Sequence, residues 1–122
     1  MIFYVKDQKK SRDFYQKIFL EDPELDVPGM SAFKISDALS LGLMPETGIK
    51  KILGDKLPDP CKSNGLSRVE LYLSVNNPAE LHQRALEAGA IELSPLEPRN
   101  WGEKVAYSID PDGHVLAFGG PL

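Results

Sequence analysis

From residue 68 to residue 75 the chain alternates. Val69, Leu71, Leu73 and Val75 fall on one side, and Arg68, Glu70, Tyr72 and Ser74 on the other. A period of two marks a strand with one buried face. A helix is predicted next. Asn77 stands where an N-cap belongs, Pro78 in the first turn, Glu80 where a capping box places its carboxylate, and Gly89 past the end. Leu81, Ala85 and Ala88 make its predicted buried stripe, and His82 reads as a solvated helix residue. Three strands follow near residues 91–96, 104–109 and 115–118. Asp110-Pro111-Asp112-Gly113 joins the last two as a hairpin turn, with proline setting φ and glycine taking the left-handed position.

The first half repeats this order. Residues 2–5 read as a short strand, and Asp7 as a helix N-cap. Ser11, Phe14, Tyr15 and Ile18 share one helical face. Strand-like pieces at 25–27, 30–35 and 39–44 are punctuated by Pro28-Gly29 and Ser36-Asp37. Each half is therefore a βαβββ module, and the predicted class is α+β. Module one covers about residues 1–53 and module two about 66–122 of a single domain. Residues 54–65, rich in Pro, Asp, Lys and Ser, read as a linker preceded by a helical turn near 49–53.

One helix covers one face of each small sheet and leaves the other open. Two modules laid edge to edge would curve the open faces into a trough around a cleft. By strand parity its lining includes Ile2 and Tyr4; Ser40, Gly42 and Met44; Arg68, Glu70, Tyr72 and Ser74; and Val115, Ala117 and Gly119. Lys104 is a further base for the trough, and Trp101, Phe33 and Tyr107 are further aromatic groups.

The chain resembles the vicinal oxygen chelate superfamily, which contains glyoxalase I, extradiol dioxygenases and bleomycin-resistance proteins. The resemblance rests on Val5-Lys6-Asp7 with Ser11 and Phe14-Tyr15, on Trp101-Gly102, and on Asp110-Pro111-Asp112-Gly113-His114. It implies paired βαβββ modules, commonly in a homodimer with ligand sites between the modules. Metal-dependent members hold a divalent ion with His, Gln or Glu from several trough strands. The final-strand glutamate position is Ala117 here, the fourth strand offers Gly42 or Leu41, and the first-strand position falls just before Ile2. Only Glu70 matches a family ligand, and one carboxylate does not make a catalytic site that needs about three protein ligands.

The expected protein is thus a metal-independent binder of a small molecule, an antibiotic or a metabolite, without a cofactor. Its candidate ligand-binding residues are Tyr4, Arg68, Glu70, Tyr72, Trp101 and Lys104. Glu70 would anchor a cationic group or act as a general base; the plainer alternative pairs it with Arg68 or Lys104. Trp101 would stack on a flat ligand or fill a dimer interface, and Tyr4 and Tyr72 would line the trough or merely fill it. One alternative is a metal-dependent lyase or dioxygenase of the glyoxalase I type, with Glu70 as the catalytic candidate and a divalent metal ion as cofactor. Another is an interaction subunit with no ligand.

Composition narrows the partners. Among 122 residues, 18 acidic and 14 basic side chains give a net charge of −4, which favours neither nucleic acid nor an anionic membrane. No apolar run nears the roughly 20 residues of a membrane span, and residues 1–7 do not read as a signal peptide. The lone Cys61 points to a reducing cytoplasm and, lacking a nearby base, not to a nucleophile. His114 is expected to hydrogen-bond its own hairpin turn.

Overall fold

The computed structural model describes residues 1–122. The chain divides into two compact units, Met1–Gln16 with Leu20–Asn64, and Lys17–Phe19 with Gly65–Leu122. Its elements form two βαβββ modules, each built on a four-stranded mixed sheet.

The first module runs β1 (Ile2–Val5), α1 (Gln8–Phe19), β2 (Leu25–Val27), β3 (Met30–Ser36) and β4 (Leu39–Pro45), in the sheet order β1-β4-β3-β2. Asp7 starts α1 by accepting the Lys10 N–H at 3.0 Å. Leu20 stops it in the left-handed region at φ 57°, its N–H returning to the Gln16 carbonyl. Phe3, Val5, Ser31, Phe33, Leu41 and Leu43 share the helix side of the sheet, none more than 2% exposed. The Phe3 ring lies 6.4 Å from that of Tyr15, and the Gln8 amide donates to Ser31 Oγ at 2.9 Å. Phe33 is therefore a core residue and not a trough aromatic. Its cross-strand partner is Leu41, so parity commits both to the buried side.

After β4, α2 (Glu46–Leu53) is a helix of 8 residues where the sequence suggested one turn. Gly48, the third residue, masked its first turn, since glycine costs about 1 kcal/mol against alanine in a helix. Two short 3₁₀ turns, Gly54–Lys56 and Pro60–Lys62, follow.

The second module runs β5 (Glu70–Ser74), α3 (Pro78–Glu87), β6 (Ile91–Pro98), β7 (Glu103–Ile109) and β8 (Val115–Pro121), in the order β5-β8-β7-β6. The strand is shorter than the alternation, because Val69 lies outside the ladder and is exposed. Leu71, Ala106, Leu116 and Phe118 are buried beneath α3.

Two expectations about α3 fail. His82 is 6% exposed, with Nε2 2.8 Å from Glu92 Oε2 on β6 and its ring edge-on to Phe118. It joins Leu81 and Ala85 in the buried stripe, whereas Ala88 is only half-buried. A carboxylate on a neighbouring strand lets an imidazole be buried, and helix periodicity cannot foresee that partner. Asn77 does stand at the N-cap, its carbonyl accepting the Glu80 and Leu81 N–H groups at 3.2 and 3.3 Å, but its side chain accepts no backbone N–H and its amide donates to Glu80 Oε2 at 2.5 Å.

No helix is long and apolar enough to cross a membrane.

Candidate functional site

In the second sheet, register places successive rows of side chains on the face away from α3. One row is Glu70, Val115 and Ile109; the next is Tyr72, Ala117 and Tyr107; the third is Ser74, Gly119 and Val105. Glu103, two residues before Val105, shares this face. The small floor of Ala117 and Gly119 lets Tyr72 lie down along the sheet. A Cβ on Gly119 would stand 2.5 Å from the phenol oxygen and 2.9 Å from Cζ.

The Tyr72 hydroxyl donates to Glu103 Oε2. Trp101 reaches the same spot from the turn between β6 and β7. That turn is closed by Arg99 N–H to Glu103 O at 2.7 Å and Gly102 N–H to Arg99 O at 3.2 Å, with Gly102 at φ +92°. The indole N–H lies 3.2 Å from Glu103 Oε2 and 3.3 Å from the Tyr72 oxygen, and the Ser74 hydroxyl donates to Glu103 Oε1 at 3.3 Å. One carboxylate thus gathers three donors. Trp101 remains 53% exposed, so its ring is available to a ligand.

The electrostatics follow from that bond. The Glu103 carboxylate raises the Tyr72 phenol pKa above its usual value, with desolvation adding to the shift. The phenol in turn holds the Glu103 carboxyl below the ordinary carboxylate range. Tyr72 is thereby kept neutral as a donor and is poorly suited to act as a base or nucleophile. On the β6 side, Arg99 donates to Ser94 Oγ at 2.6 Å and to Val105 O at 3.0 Å, and its guanidinium sits 5.3 Å from the Tyr107 ring centre.

Of the residues chosen from the sequence, Tyr72 and Trp101 come together. Glu70 shares their face but is exposed and paired with neither Arg68 nor Lys104. Arg68 precedes the strand and is exposed. Tyr4 is half-buried on the open face of the first sheet, level with Met44. Lys104 does not belong to the open face. Its register partner is Gly120, whose absent Cβ would meet the Pro78 ring of α3, so its side chain points to the helix side. The strand begins one residue earlier than the sequence suggested, and Glu103 takes the open-face position instead. The sequence reading missed Glu103; the signal was its i, i+2, i+4 relation to Val105 and Tyr107.

His114 serves the hairpin, its backbone N–H and Nδ1 both bonding Asp110. The ligand atoms of Asp110, Asp112 and His114 lie within 4.8 Å of one another, but Asp110 Oδ1 already accepts two turn N–H groups. Cys61 is exposed, and its hydrogen bond to Asp59 raises the thiol pKa, disfavouring the reactive thiolate.

Known proteins agree with this architecture. The glyoxalase-like domain family matches residues 1–122. An uncharacterised protein of Mycobacterium bovis is 33% identical over 97% of this chain and 79% of its own length, and one of Mycobacterium tuberculosis is 33% identical over 97% and 71%. A glyoxalase-related enzyme from Fulvimarina pelagi superposes with a TM-score of 0.84 at 20% identity, over 98% of this chain and 84% of its own. A glyoxalase/bleomycin resistance protein/dioxygenase family enzyme from Burkholderia phytofirmans does so at 0.83 and 15% identity, over 100% and 96%. Paired βαβββ modules and a family match over the whole chain make this protein a member of the glyoxalase-like domain family, within the vicinal oxygen chelate superfamily.

Proposed function

We propose that this protein binds a small, partly aromatic molecule on the open face of its second sheet, without a metal ion and without transforming it. The observation that supports this reading is the Tyr72–Trp101 pair fixed on Glu103, two aromatic rings beside a small-residue floor. Apolar walls with a few placed polar groups are the usual make-up of a small-molecule site.

The donor set does not fit a catalytic ion. Ala117 is fully buried at the final-strand position. Gly42 is enclosed by apolar neighbours, its absent Cβ falling 3.1 Å from Met30 Sδ and 3.2 Å from Ile2 Cγ1. Glu70 is the one remaining ligand type at a family position, against the roughly three protein ligands such an ion needs. Glu103 has both oxygens taken by hydroxyl and indole donors.

The sole tryptophan reports on the site directly. Titration with planar probes of opposite charge, proflavine and fluorescein, should give saturable quenching of Trp101 by at least one of them. Calorimetry should then show Trp101→Ala weakening that probe by about thirtyfold, the scale of a truncated aromatic anchor at about 2 kcal/mol. Excess chelator should change nothing. Binding indifferent to both Trp101→Ala and Tyr72→Ala would refute the site, and stoichiometric metal lost with Glu70→Ala would refute metal independence.

The reading extends to a homodimer in a reducing cytoplasm, where Cys61 stays a free thiol. Exposed Leu25 and Val27 on edge strand β2, and Ile91 and Leu93 on edge strand β6, are the apolar edges a second copy would cover. Light scattering at micromolar concentration should give twice the chain mass of 13.5 kDa; monomer alone would contradict it.

A further inference from the structure

Glu103 is the least accessible part of the cluster's chemistry to a ligand, since its oxygens face Tyr72, Ser74 and Trp101. Its importance lies in what it holds. Tyr72 stands on β5 and Trp101 in the β6–β7 turn, with β8 between β5 and β7. Without a common acceptor, an exposed indole on a glycine-containing turn and a phenol on an edge strand would each sample several rotamers. Fixing them beforehand removes an ordering cost of about 0.5–1.5 kcal/mol per side chain from any later binding.

We propose that Glu103 is a positioning residue, which locks Tyr72 flat over Gly119 and draws Trp101 onto it, so that the unliganded protein already presents one assembled aromatic platform. The use of that platform for a ligand rests on the binding reading above; its existence does not. Gly119 is the other half of the device. Only a residue without Cβ leaves room for the phenol, whose oxygen would otherwise stand 2.5 Å from the added carbon. Ser74 completes the carboxylate's second oxygen. The ionisable groups facing the phenol are Glu103 and Tyr107, both on β7, and of these Glu103 has the larger effect.

The platform can be tested in the protein without ligand. Ultraviolet titration of wild type minus Tyr72→Phe isolates one phenol among the four tyrosines. It should titrate above 10, the ordinary phenol value. Glu103→Gln, which keeps an acceptor but not the charge, should lower it toward the ordinary phenol range. Gly119→Ala should do the same with Glu103 intact, by lifting the ring off the carboxylate. Both variants should also red-shift and depolarise Trp101 emission, which a merely structural role for Glu103 would not require. A phenol that titrates identically in wild type, Glu103→Gln and Gly119→Ala overturns the proposal, as does unchanged Trp101 anisotropy.

The two ideas fail separately. If the titration signature is present and neither planar probe binds, the platform stands and the binding reading falls. If a probe binds through Tyr72 while Glu103→Gln leaves both phenol and affinity unchanged, binding stands and the positioning role falls. If both hold, Glu103→Gln should weaken the probe by about three- to tenfold, less than loss of Trp101 itself.

Discussion

Gly113→Ala is expected to destabilise the protein by about 4 kcal/mol, the sum of a strained φ at about 1–3 kcal/mol and overpacking at about 1–3 kcal/mol. Gly113 has φ +91°, a conformation that side chains rarely adopt. An added Cβ would also stand 2.5 Å from the Gly65 carbonyl oxygen and 2.9 Å from its Cα. These are backbone atoms, which cannot swing aside as a side-chain tip can. The turn around it is equally committed. Asp110, only 4% exposed, uses Oδ1 to accept the N–H groups of Asp112 and His114 at 2.9 and 2.8 Å. Relaxing φ at Gly113 would therefore break the bonds that let an aspartate be buried. Gly102 supplies the internal control: its φ of +92° is nearly the same, with nothing within 4 Å of its absent Cβ. Gly102→Ala should cost only the φ strain, about 1.5 kcal/mol. Chemical denaturation at constant m-value compares the two. Equal losses would mean that the Gly65 contact is not tight in solution.

The contrast shows what the sequence could reveal. Asp-Pro-Asp-Gly announced the hairpin and the left-handed residue, because proline and glycine act locally. That Gly113 also touches Gly65 is a contact between residues far apart in the chain, and no local rule carries it. The same division runs through the module. Alternation over residues 70–74 and the buried helical spacing of Ser11, Phe14, Tyr15 and Ile18 were legible, since burial imposes a period on one strand or one helix. His82 broke its helical pattern because its partner, Glu92, sits on another element. At the site, Tyr72 was legible as an aromatic residue on a predicted strand face, and Trp101 as an aromatic residue in the loop before a strand. Glu103 was not, because it lay just before the strand expected to start at Lys104. Lys104 was named for the trough together with Tyr107, although residues three apart in a strand face opposite sides, and it is Glu103 that alternates with Val105 and Tyr107 on the open face.

Phe118→Ala should have a comparable effect, a loss of about 4 kcal/mol, within the 3–5 kcal/mol typical of a fully buried phenylalanine. Phe118 is 1% exposed on β8, the strand that pairs with both β5 and β7, and its register partners are Leu73 and Ala106. Its ring also forms the wall against which His82 is packed at 6.5 Å. Truncation leaves a cavity beneath α3 and exposes to it an imidazole whose Nδ1 already lacks a partner. For a domain with about 5–15 kcal/mol of total stability, this removes a large share. Phe118→Leu, which keeps most of the volume, should cost about 1.5 kcal/mol or less. The informative comparison is with the opposite face. Ala117 and Gly119, on either side of Phe118, point toward Tyr72 and away from α3. In the folded fraction of Phe118→Ala, the Tyr72 titration and Trp101 emission should therefore remain those of wild type. A change in stability with the open face unaltered is what a two-sided sheet requires. Loss of both together would mean that the core beneath α3, and not Glu103, holds the aromatic pair in place.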